Sequence, residues 1–170
     1  MSLYWYVLRS KPRKENVVWE QVCAKKIEGY YPRIRVNPVN PRSRKIRPYF
    51  PGYLFVHVDL DDISLSTLNW MPHTLGLVCF DGVPAPVPAN FVHALRKKLA
   101  EINEAGGEIF DGLKQGDPVK IEDGPFAGYE ALFDARLTGK ERVRVLLQML
   151  GDERIVSVEV HVSQISKKDD

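Results

Sequence analysis

Twelve cationic side chains stand in the first 50 residues of this 170-residue chain: Arg9, Lys11, Arg13, Lys14, Lys25, Lys26, Arg33, Arg35, Arg42, Arg44, Lys45 and Arg47. Only three carboxylates accompany them, Glu15, Glu20 and Glu28. Surface cations on loops and helix faces can contact phosphates without a dedicated recognition helix. The remainder is acidic, with net charges of −5 over residues 51–112 and −2 over 113–170, so the whole chain carries only +2. Between Gly29 and Leu60 the one carboxylate is Asp59, whereas a surface built for solubility alone mixes signs. The asymmetry directs the first third toward a polyanion.

The second constellation is aromatic. Phe50-Pro51-Gly52-Tyr53-Leu54-Phe55-Val56 follows the basic stretch and carries apolar side chains on both faces of an extended strand. One face can pack on the domain's own helices; the other needs a further helix, a second domain or a partner protein to cover it. Cys23 and Cys79 match no zinc or redox spacing and read as half-buried thiols in a reducing cytoplasm. His57, His73, His93 and His161 lack the close spacing of a metal site. There is no Walker loop, dinucleotide fingerprint, His-Glu-x-x-His or nucleophile elbow. The chain therefore reads as a non-enzyme without cofactor or metal. A cysteine-dependent enzyme using Cys79 with His57 is the least favoured alternative. No apolar run approaches the ~18 residues of a membrane span, and Met1–Arg9 lacks the order of a signal peptide.

These residues need elements to hold them. Leu3–Leu8 reads as a strand with both faces apolar, followed by a helix over about Lys14–Glu28 that Gly29 closes. Tyr30–Val36 is extended, and residues 37–48, with three prolines and Arg42–Arg47, read as a projecting basic loop or hairpin. In the strand Tyr53–Val58, period two places Leu54, Val56 and Val58 on one face and Tyr53, Phe55 and His57 on the other. A helix over about Asp62–Asn69, a strand over Gly76–Phe80 and a turn at Asp81-Gly82 follow. Asn90 can cap a helix with the face Val92, Leu95, Leu99 and Ile102. Beyond Glu104 no sustained amphipathic pattern is evident. Val119–Glu122, Tyr129–Asp134, Val143–Met149 and Ile155–Val160 read as short strands between glycine turns, which suggests a small barrel. The expected organisation is a first domain over 1–104, a linker over 105–114 and a barrel over 115–170.

Trp5-Tyr6-Val7, Phe50–Val56 and Pro84-Ala85-Pro86-Val87-Pro88 together resemble the N-terminal (NGN) domain of the NusG/RfaH family. Gly116–Gly128, Val143–Leu147 and Leu150-Gly151 resemble that family's KOW domain. The resemblance implies an α+β NGN domain, an antiparallel sheet with flanking helices, linked to an all-β SH3-like KOW barrel. It implies a cytoplasmic, monomeric, non-enzymatic transcription elongation factor that binds the RNA polymerase clamp and modulates pausing, termination or antitermination. By motif, the clamp-binding patch falls on Tyr53, Phe55 and Phe80 with Phe50 close by, and Arg9 stands where relatives can have an aromatic. The opposite cleft wall would be touched by Ser64, Ser66 and Thr67. Non-template DNA would face Lys11, Arg13, Lys14, Gln21 and Lys25, and the basic loop adds Arg42, Arg44, Lys45 and Arg47 for nucleic acid. Contacts of the family's Arg-x-Thr-Pro-Gly turn do not transfer to the altered Met71–Gly76.

By the same resemblance, Met149, Leu150, Gly151 and Asp152 would occupy the partner-binding loop of the KOW domain. Leu150 and Asp152, in place of an aromatic and a basic residue, leave room for a ribosomal protein of the small subunit and weaken the case for Rho. With Tyr129–Phe133, this places the chain nearer the specialised RfaH branch. Some barrels of that branch refold from a helical hairpin, but β-branched Val143 and Val145 favour strand here. The alternative function is a ribosome- or RNA-associated KOW protein, which the barrel's net −2 disfavours.

Overall fold

The computed structural model describes residues 3–35, 46–104, 127–134 and 137–151. A central antiparallel sheet carries β1 (Tyr4–Ser10), β2 (Glu28–Tyr30), β5 (Tyr53–Val58), β6 (Thr74–Leu77) and β9 (Pro86–Val87), with the path β2-β5-β1-β6 and β9 paired to β1. Two small hairpins join β3 (Arg33–Arg35) to β4 (Ile46–Pro48) and β7 (Cys79–Phe80) to β8 (Val83–Pro84). In the second hairpin Asp81 and Gly82 have φ of 56° and 78°, the left-handed pair that a two-residue hairpin turn requires. The helices are α1 (Glu15–Ala24), α2 (Leu65–Asn69), α3 (Ala89–Glu104), α4 (Ala127–Leu132) and α5 (Gly139–Gly151).

The period-two reading of β5 divides the interior in two. Leu54, Val56 and Val58 join Tyr6, Leu8, Val18, Val22 and Leu68 in a core under α1 and α2. Phe55 joins Trp5, Val7, Phe50, Val78, Phe91, Leu95 and Leu99 in a core under α3. Both faces of β1 and β5 are therefore buried, which explains why neither strand alternates apolar with polar. Tyr53 is half-buried at the edge of the second core. His57 lies on the same face but outside both cores, stacked on Trp5 at 4.7 Å with Nδ1 2.7 Å from Glu28 Oε1.

Several boundaries shift for identifiable reasons. α1 ends at Ala24 because Lys26, at φ 59°, turns the chain. Gly29 lies within β2 rather than closing the helix, and a Cβ there would meet the Phe55 carbonyl oxygen at 2.8 Å and Trp19 at 3.0 Å. Its absence lets α1 press on the sheet. α2 starts after Ser64, whose hydroxyl accepts the Thr67 N–H, and not at Asp62. α3 begins at Ala89, so Asn90 is its second residue and not its cap. The predicted Gly76–Phe80 strand is broken at Val78, whose N–H donates to the Val7 carbonyl.

The larger correction concerns the C-terminal part. Tyr129–Asp134 and Val143–Met149, expected as barrel strands, are helical, α4 covering 127–132 and α5 covering 139–151. Helical spacing explains it: Arg142, Val145 and Leu146 are buried, and Met149 and Leu150 half-buried, a 3-1-3-1 rhythm along one face. Thr138 and Glu141 form a reciprocal capping box. The Glu141 N–H donates to Thr138 Oγ1 at 3.1 Å, and the Thr138 N–H to Glu141 Oε1 at 3.2 Å. Against that, two β-branched valines weigh only a few tenths of a kcal/mol each. The expected strands Val119–Glu122 and Ile155–Val160 and the linker 105–114 lie outside the described residues.

Candidate functional site: the covered sheet face

The aromatic segment builds one face of the site. Phe50 and Phe55 are fully buried, with ring centroids 6.0 Å apart in an edge-to-face pair, and Phe91 of α3 lies 6.1 Å from Phe55. Phe80, on β7, remains 37% exposed. The four aromatic positions singled out for partner binding are thus unequal: two are sealed, Tyr53 is at the margin and Phe80 faces outward. Arg9 pairs with Tyr53 across β1 and β5 and donates from Nη2 to the Leu75 carbonyl at 2.6 Å.

The α4–α5 hairpin shares the cover of this face with α3. Ala131, Leu132, Leu137, Val145 and Leu146 are buried in the same core as Phe50 and Phe55. Tyr129 of α4 and Phe133, just past its end, reach Phe91 at 5.0 and 6.1 Å. Two glycines mark the ends of α5. A Cβ at Gly139 would stand 2.6 Å from Pro51 Cγ, and one at Gly151 would stand 3.2 Å from Phe80 Cε1. The helix therefore runs from the Phe50–Gly52 turn to β7, along the predicted patch.

Polar contacts fix the hairpin's position. Arg142, only 4% exposed, donates from Nε to the Tyr49 carbonyl at 2.8 Å and from Nη1 to the Leu137 carbonyl. Its guanidinium carbon sits 4.0 Å from the centre of the Tyr49 ring, a cation–π geometry. The Tyr49 hydroxyl in turn donates to the Leu132 carbonyl. Tyr49 and Arg142 thus interlock the N-terminal unit with both helices, and neither was singled out from sequence. The Thr138-x-x-Glu141 box ahead of an apolar run was the available signal.

The other expected residues separate into groups. Ser64, Ser66 and Thr67 are exposed together at the start of α2, with Trp70, 83% exposed, one turn on. Lys11, Arg13, Lys14 and Lys25 are exposed before and after α1. Gln21 spends its amide on the Pro72 carbonyl at 2.8 Å, bracing the altered turn. Arg47 is exposed on β4. Arg42, Arg44, Lys45 and Asp152 lie outside the described residues. Met149, Leu150 and Gly151 form the last turn of α5, not a loop between strands. Cys23 and Cys79 are both exposed rather than half-buried. Among the described residues no cluster of three or more His, Cys, Asp or Glu side chains is gathered for a metal ion, and no helix is long and apolar enough to cross a membrane.

Tyr30 borders the core beside two cations. Burial pushes its phenol up to about 12, with Arg96 and then Arg33 opposing the shift. The Arg96 guanidinium lies 4.8 Å over its ring.

The family model described as transcription termination factor NusG matches residues 3–96. The transcription termination/antitermination protein NusG of Pasteurella multocida is 23% identical over 96% of this chain and 94% of its own length. That of Buchnera aphidicola is 26% identical over 96% and 95%, and that of Escherichia coli K12 is 27% identical over 74% and 68%. A solved structure described as domain interaction in Thermotoga maritima NusG is 27% identical over 74% of this chain and 76% of that one, with a TM-score of 0.46. The matched segment spans the sheet, α1, α2 and the first half of α3, and on that match the chain belongs to the NusG family.

Proposed function

We propose that this protein is a transcription termination/antitermination factor that acts by binding RNA polymerase through the Phe50, Tyr53, Phe55 and Phe80 face, and that its own α4–α5 hairpin competes for that face. The observation that carries the reading is the hairpin itself, packed on the aromatic segment from Pro51 to Phe80. A sheet surface whose cover comes in part from a separate C-terminal segment, the rest being α3, can be partly uncovered without dismantling α1, α2, α3 or the sheet. An apolar helical arm, such as the polymerase clamp offers, would replace one helical cover with another.

In this reading Ser64, Ser66 and Thr67, at the exposed tip of α2, meet the opposite wall of the polymerase cleft. Lys11, Arg13, Lys14 and Lys25 face the non-template strand. The C-terminal part recruits a second partner such as a small-subunit ribosomal protein. A regulated, covered surface suits a specialised RfaH-like paralogue more than a general factor. The test is capture of RNA polymerase by the full chain and by a variant with a loosened hairpin. Stronger capture by the loosened variant supports the proposal, and equal capture refutes competition by the hairpin.

A further inference from the structure

A cleft of about 830 Å³ opens where the start of α5 meets the N-terminal unit. Arg9, Arg13, Arg47, Lys140 and Arg142 line it, and among the described residues its one carboxylate is Glu15. That carboxylate accepts the Gly52 N–H at 2.9 Å and is buried. Arg9 Nε is buried without a hydrogen-bond partner among the described residues. Arg13 is held in the left-handed region at φ 66°, a strained placement for a non-glycine residue. Pro12, Pro48, Pro51 and Leu75 supply apolar wall between the cations. The volume is that of a small-ligand site, and cations set among rigid apolar surfaces suit a phosphate joined to a flat ring.

We propose that this cleft binds a nucleotide, its phosphates on Arg9, Arg13, Arg47 and Lys140 and its base against the proline wall. Arg13 and Arg47 come from the basic first third, but Lys140 comes from the hairpin. The site is complete only while the hairpin is docked. By linkage, an occupant that needs both parts favours the docked form, and at 100 times its Kd can shift that equilibrium by as much as about 100-fold. The inference stands on the cleft and does not depend on the clamp-binding reading.

The nucleotide can be free or part of a single strand, and two probes separate these sources: ATP in EDTA, and a six-residue oligothymidylate. Each is titrated into the full chain by NMR, with amide exchange of α5 followed in parallel. Binding of either probe, slowed exchange in α5, and at least roughly tenfold weaker binding in both Lys140→Glu and Arg47→Glu are expected. ATP binding alone identifies a free nucleotide, and oligothymidylate binding alone a strand. Both side chains are exposed, so the variants should keep the parent's melting temperature. Absence of binding by both probes at millimolar concentration overturns the proposal. So does binding that either variant leaves intact, because the site must draw on both units.

Discussion

Leu146→Ala tests the competition most directly. Leu146 is fully buried in the core that contains Phe50 and Phe55. Alanine is the stronger helix former, so α5 itself should not weaken and the loss falls on packing against the sheet. Truncating a buried leucine to alanine costs about 2–5 kcal/mol. About 3 kcal/mol would favour the released hairpin roughly 150-fold. Amide exchange over Arg142–Met149 should accelerate by that order, while amides of β1 and β5 keep most of their protection. Polymerase capture should strengthen by up to the same factor, because removing an internal competitor raises the binding-competent fraction. Arg144→Ala, at an exposed position on the same helix, serves as the control and should change neither readout. If α5 exchange accelerates as expected and polymerase capture does not improve, the hairpin does not hide the binding face.

Gly139→Ala should loosen docking although alanine ordinarily favours helix by up to ~1 kcal/mol over glycine. The new Cβ would stand 2.6 Å from a proline ring carbon, and faster exchange in α5 with a lower melting temperature is the expected result. Phe80→Ala removes a ring that is 37% exposed. It should weaken polymerase binding by about 2 kcal/mol if the ring is a contact anchor, with little change in thermal melting; unchanged affinity removes Phe80 from the interface. Tyr30 makes stability depend on pH at the alkaline end. Its folded pKa is raised from 10.0 to about 12, so the neutral phenol's contribution is complete below about pH 10 and is lost as pH rises toward 12. Tyr30→Phe should flatten the decline in chemical-denaturation stability across that window.

The strands at the centre of the sheet were legible because the period-two alternation of a strand is a local property, although its pairing is not. Alternation in Tyr53–Val58 separated Leu54, Val56 and Val58 from Phe55, which lie in different cores, and the 3-4-3 spacing of Val92, Leu95, Leu99 and Ile102 located α3. Boundaries failed where a competing local interaction decided them, as when the Ser64 hydroxyl rather than the Asp62 carboxylate opened α2. The identity of the cover over Phe55 was not legible, since sequence left a helix, a domain and a partner as alternatives. Misreading α5 had a specific cause: Val143 and Val145 outweighed the Thr138–Glu141 box and the spacing of Val145, Leu146, Met149 and Leu150. The interlock of Tyr49 with Arg142 joins residues 93 positions apart, and such a pairing exists only once both units are docked.

The glycines at both ends of α5 also govern what happens to it off the sheet. A segment of 13 residues is near the length at which isolated helices are marginal in water, and terminal glycines make it poorer still. Departure from the sheet and melting of the helix should therefore be a single event. A far-ultraviolet dichroism signal would then report occupancy of the aromatic face without any label.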